Sequence, residues 1–100
     1  MNIDEKVKFA QEIAEKLHGV KRNEWERWAS YMQSSRNLSR ALQLAQYMGR
    51  SPAVRQEPQR AAQHISQVIA EYRQKLQALP LEDVIEIFGY VGRWLVAYRR

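Results

Sequence analysis

The chain has no cysteine, and inspection of its 100 residues finds no threonine, two histidines and two aspartates. Without cysteine there can be no disulfide, no thiolate metal site and no cysteine nucleophile. His18 stands at the end of an expected helix, where it would interact with the last carbonyls. His64 has no second histidine or acid at ligand spacing in the sequence, so the sequence predicts no metal site. No glycine-rich phosphate loop precedes a helix after a strand. Glu12 with Glu15, and Glu82 with Asp83 or Glu86, read as helix-surface charges. The sequence therefore predicts no catalytic centre and no cofactor.

Long apolar runs are also missing: none approaches the roughly 20 residues of a membrane span. The opening MNIDEKVKF is charged within five residues and does not resemble a secretion signal. The expectation is a cytoplasmic chain without a membrane partner. At 45% hydrophobic residues, one compact domain over residues 1–100 is expected.

What is present has helical spacing almost throughout, with no sustained strand-like alternation. A first helix is expected from an Asn2–Glu5 capping box, with Ile3, Val7, Ala10, Ala14 and Leu17 on one stripe, ending at His18-Gly19. Asn23 with Glu26 repeats the capping pattern. Trp25, Trp28, Ala29 and Met32, then Leu38, Ala41, Leu42, Ala45 and Met48, continue an apolar face over residues 24–48. These form one long helix or two with a break near Ser34-Ser35, and Gly49 stops the run. Residues 49–58, with Pro52 and Pro58, read as an internal loop. A further helix from Pro58 carries Ala61, Ile65, Val68, Ile69, Tyr72 and Leu76. The last runs from Leu81 with Val84, Phe88, Val91, Leu95 and Tyr98 on its main stripe. The fold class is all-α, a single bundle of four or five helices.

Charge is distributed unevenly. The net +5 divides into −1 for residues 1–20, +1 for 21–33, +4 for 34–60, +1 for 61–80 and 0 for 81–100. The segment 34–60 holds five arginines, one glutamate and no lysine. At 100° per residue, Arg36, Arg40, Gln43 and Tyr47 fall on one line opposite the Leu38/Leu42/Ala45 core stripe. Arg50 and Arg55 follow in the loop, and Arg60 opens the next helix. Guanidinium groups suit forked hydrogen bonds to phosphate, and a tyrosine can stack on a base. These six residues are the candidate nucleic-acid-binding set. A solvated face and an acidic protein partner fit the same charge.

Two further patterns bear on function. "LAQYMGRSPAV" partly matches a helix-turn-helix through Ala45, Gly49 and Ser51, but Val54 comes one place early and Pro58 falls where the recognition helix should continue. In the last helix, Ile85, Gly89, Gly92 and Val96 form a second apolar line, which marks either a central helix or a subunit interface, including self-association.

The closing "IFGYVGRWLVAYRR" resembles the end of the small α-helical subunits of type III CRISPR–Cas effector complexes. Those finish in an aromatic-rich helix with an LVAYH-like sequence, matched here by Leu95, Val96, Ala97, Tyr98 and Arg99. "YMGRSP", Tyr47 to Pro52, is similar to their short aromatic, glycine and basic segment. The resemblance implies a non-catalytic subunit of a ribonucleoprotein, touching other subunits and single-stranded or guide-paired nucleic acid. Related CRISPR effector types carry small subunits of the same character.

Overall fold

The structure, a computed structural model, describes residues 1–98. Among these, five helices follow in order: α1 (Ile3–Lys16), α2 (Arg22–Ser35), α3 (Leu38–Arg50), α4 (Gln56–Gln77) and α5 (Leu81–Ala97). Arg99 and Arg100 lie outside the described residues, including the last position of the C-terminal motif.

The first helix begins as its sequence predicts. Asn2 Oδ1 accepts from the Glu5 N–H at 2.8 Å, and the Asn2 N–H donates to Glu5 Oε1 at 3.0 Å. Its buried face is rotated from the expected stripe. Ile3 is 63% exposed, and the core is met by Phe9, Ala10, Ile13, Ala14 and Leu17, with Lys6 also buried. Gly19 then turns the chain at φ 97°, a backbone that L side chains rarely adopt.

Two expected boundaries move, at Asn23 and at Gly49, and the choice between one helix and two over residues 24–48 is decided. Asn23 does not cap: α2 starts at Arg22 after Lys21, and Glu26 pairs with Arg22 at 2.6 Å. The run over residues 24–48 is two helices, because Arg36 is left-handed at φ 52° and Asn37 Oδ1 accepts from the Arg40 N–H at 3.0 Å. Gly49 does not end α3, which continues to Arg50, so the internal loop shortens to 51–55. Gly49 instead lets two helices approach: a Cβ there would lie 2.8 Å from Gln63 Cγ and 3.1 Å from the Gln63 backbone. Pro58 lies inside the first turn of α4, where its missing N–H would have had no intrahelical partner.

Helices α3 and α4 pack most extensively. Gln59 Nε2 donates to Ser51 O at 3.1 Å, Gln63 Nε2 to Gly49 O at 2.6 Å and Gln77 Nε2 to Ser39 Oγ at 3.5 Å. One chain position rises as its partner falls, so α3 and α4 form an antiparallel hairpin. On the other side α5 runs parallel to α1, with Trp94 Nε1 donating to Val7 O at 3.2 Å.

Helix α2 joins the two pairs. Trp25 Nε1 donates to Phe88 O at 2.9 Å in α5, and Trp28 Nε1 donates to Ala41 O at 2.7 Å in α3. The rings of Trp25, Trp28 and Phe88 lie mutually 5.2–5.4 Å apart at the centre of the core. Each indole thus buries its apolar surface while its N–H reaches a carbonyl, which avoids an unsatisfied donor. The Cα radius of gyration is 12.6 Å, close to the ~13 Å expected for one compact domain of this length.

Candidate nucleic-acid interface

The left-handed break after α2 divides the expected arginine line. Arg36 is the cap residue of α2, and its guanidinium pairs with Glu82 at the start of α5 at 3.0 Å. It does not share a helix face with Arg40. The line that survives is Arg40, Gln43, Tyr47 and Arg50 on the outer side of α3, all exposed, with Tyr47 65% accessible. Arg40 and Arg50 are ten residues apart, about 15 Å along a helix axis. Arg50 also donates through Nε to Gln46 O at 3.3 Å, which holds it near the negative end of α3.

Arg55 precedes α4 as its exposed flanking residue. Arg60, one turn into α4, lines a cleft beside the α1–α2 turn. The six candidates are therefore dispersed: Arg40, Tyr47 and Arg50 on the outer face of α3, Arg55 at the start of α4, Arg60 at the cleft, and Arg36 bound to α5.

Ion pairing separates these arginines from much of the remaining charge. Lys6 pairs with Asp83 and Glu86 at 3.1 and 3.0 Å, and Lys16 with Glu71 at 2.8 Å. Glu57, the one acid of the arginine-rich segment, pairs with Lys21. Among the described residues, Arg40, Arg50, Arg55 and Arg60 join no ion pair. Their charge is left to the solvent or to an external anion.

Lys6, which stands among the acids of α1 in sequence, is buried and ties α1 to α5. Hydrogen bonds to Glu86 and Asp83 hold its ammonium above the ordinary lysine range. The Lys16 ammonium is likewise raised, first by Glu71 and then by Tyr72, and desolvation raises the Tyr72 phenol. The helical register could have revealed Lys6, which stands on the same face as Phe9, Ala10 and Ile13.

The candidate interface line of α5 differs in burial along its length. Gly92 is buried, and a Cβ there would stand 3.6 Å from Trp25 and 3.7 Å from Glu26. Gly89 is exposed, with nothing within 4 Å of a Cβ. Ile85, Gly89 and Gly92 all line an open groove of about 270 Å³ between α2 and α5, Gly92 at its buried floor, while Val96 is half-buried one turn beyond Gly92. Among the described residues, no cluster of three or more histidines or acids could hold a metal, and no helix is long and apolar enough to cross a membrane. No family model, curated protein or solved structure matches the chain.

Proposed function

We propose that the protein is a non-catalytic binder of single-stranded or guide-paired nucleic acid, contacting the backbone through Arg40, Arg50, Arg55 and Arg60 with Tyr47 available to stack on a base. The observation that carries this reading is the pair Arg40 and Arg50, joined to no intramolecular acid among the described residues, on the same exposed α3 line as Tyr47, with Arg55 and Arg60 following in the chain and also unpaired. Such cations gain most from a polyanion because they neutralise phosphates and release counterions. Arg36 has a weaker claim, being engaged by Glu82. The antiparallel α3–α4 hairpin does not favour the helix-turn-helix alternative, whose two helices cross steeply. Within this reading, the resemblance of the C-terminal helix points to a small subunit of a type III or related CRISPR ribonucleoprotein.

The test is affinity for unstructured oligonucleotides of scrambled sequence as a function of salt. Four phosphate contacts give a slope of log affinity on log salt near −3, at about −0.7 per contact for single strands. A flat dependence, or no binding at low salt, would reject the reading.

A second reading, a protein-docking module, is favoured by the α2–α5 groove at Ile85 and Gly89. Gly89→Leu projects into that groove from a position where a Cβ meets nothing within 4 Å, and circular dichroism checks that the variant folds. Loss of a native assembly in this folded variant, with oligonucleotide affinity unchanged, would support docking.

A further inference from the structure

The chain's two histidines, 46 positions apart, line the same open cleft of about 440 Å³ between the α1–α2 turn and the start of α4. His18 comes from the turn and is exposed; His64 comes from the third turn of α4 and is half-buried. Lys21, Glu24, Glu57 and Arg60 complete the charged lining. Lys21 is paired with Glu57, and Glu24 lies 3.8 Å from Arg27, so Arg60 is the lining cation that joins no ion pair among the described residues. In formal charge, two cations cancel two acids. The two imidazoles then decide the sign of the cleft.

We propose that this cleft binds a tetrahedral oxyanion, either free or as the phosphodiester of a strand, with Arg60 as the permanent cation and His18 and His64 as donors whose charge depends on pH. Imidazole is the side chain that ordinarily changes charge between pH 5 and 8. Protonation of both adds two positive charges to a neutral lining, so anion affinity rises as pH falls. Beyond the cleft's own lining, His18 also faces Tyr98 and Lys21 in an adjoining cavity, and Tyr98 OH lies 3.5 Å from Glu15. His64 faces Arg60 and Glu57 from its own helix and Lys21 and Glu24 from across the cleft. The cleft shares Arg60 with the proposed nucleic-acid face but does not depend on the α3 arginines.

Sulfate is the first probe, because it keeps its charge over the pH range in which phosphate monoesters change theirs. Histidine ring proton resonances are followed by NMR during titration with sulfate, then with an oligonucleotide lacking terminal phosphates, at pH 5.5 and pH 8. Both histidines should respond at pH 5.5, with affinity about tenfold above that at pH 8, at up to about fivefold for each exposed ion pair gained. A response to sulfate identifies a free-anion site; a response to the oligonucleotide alone identifies a strand phosphodiester. Arg60→Gln should weaken binding at the cleft, and His64→Gln should flatten its pH dependence, with folding of each variant checked by circular dichroism.

Equal affinity at both pH values, or histidine signals that neither anion moves at pH 5.5, overturns the proposal. The double variant Arg40→Gln, Arg50→Gln separates it from the broader reading: it should reduce oligonucleotide affinity at pH 8 while leaving the sulfate response intact. If the sulfate response falls equally in that variant and in Arg60→Gln, the anion is being held by diffuse charge and not by the cleft.

Discussion

Gly49 and Gly89 show how one residue type serves opposite ends at two positions. Gly89→Ala places a methyl group in open space and should raise stability by about 0.5–1 kcal/mol, seen as a melting temperature roughly 2–8 °C higher. At Gly49 the same methyl would press on the side chain and backbone of Gln63, and the α3–α4 hairpin would have to open slightly. Gly49→Ala should therefore destabilise by about 1–3 kcal/mol despite its better helix propensity. At Lys6, Lys6→Met keeps most of the packing and removes the link from α1 to Asp83 and Glu86. The folded-state value of Lys6 is raised, so its contribution is complete below the ordinary value of 10.5 and is lost as pH rises through the raised one. The variant should melt lower at neutral pH, and the difference from the parent should shrink above about pH 10.5.

At the scale of elements, the break between α2 and α3 matters most, because it removes Arg36 from the arginine face. A non-glycine residue in the left-handed region costs about 1 kcal/mol or somewhat more. Arg36→Gly and Arg36→Ala both lose the exposed pair with Glu82, and only the glycine variant also loses the strain. Arg36→Gly should therefore be more stable than Arg36→Ala by about 1 kcal/mol in thermal or denaturant unfolding. Neither should change the salt slope of oligonucleotide binding; a fall of about 0.7 in either would place Arg36 on a phosphate. The tryptophans act at this scale too, since α2 reaches α5 through Trp25 and α3 through Trp28. Trp25 is fully buried, and Trp25→Ala should cost about 3–5 kcal/mol, a large share of the 5–15 kcal/mol typical of a domain.

Across the whole molecule, pairing distinguishes cations that hold helices together from cations available to a ligand. Lys6, Lys16 and Arg36 bridge different helices, and Lys21 ties the α1–α2 turn to α4. Lys8 is exposed and joins no ion pair among the described residues, and Lys75 lies 4.3 Å from the ring centre of Phe9. Replacing Arg40, Arg50, Arg55 and Arg60 together by glutamine should abolish most oligonucleotide affinity and flatten its salt dependence. Replacing Lys8 alone should change affinity little, because the α3 arginines reinforce one another while Lys8 sits among helix-one acids. An equal loss per charge removed from both groups would indicate a general effect of net charge.

Much of the architecture follows from local chemistry readable along the chain. The Asn2–Glu5 box, the apolar spacing and the lack of alternation define an all-α fold, and a break near residues 34–35 was open to inspection because Ser, Arg and Asn succeed one another there. The concentration of arginine in residues 34–60 was equally legible. The sequence by itself therefore determined helix composition, the apolar faces apart from the rotated one of α1, and the sign of the central charge, since these depend on residues a few positions apart. Only the tertiary structure decided which arginines remain without an acid, that Lys6 meets Asp83 and Glu86, that Gly49 serves a helix contact and that His18 and His64 share a cleft. Each depends on groups brought together from distant positions, such as Arg36 with Glu82, Lys21 with Glu57 and Gly49 with Gln63. Periodicity determines which face of a helix turns inward, but the facing helix and its register follow from packing all five apolar faces into one core.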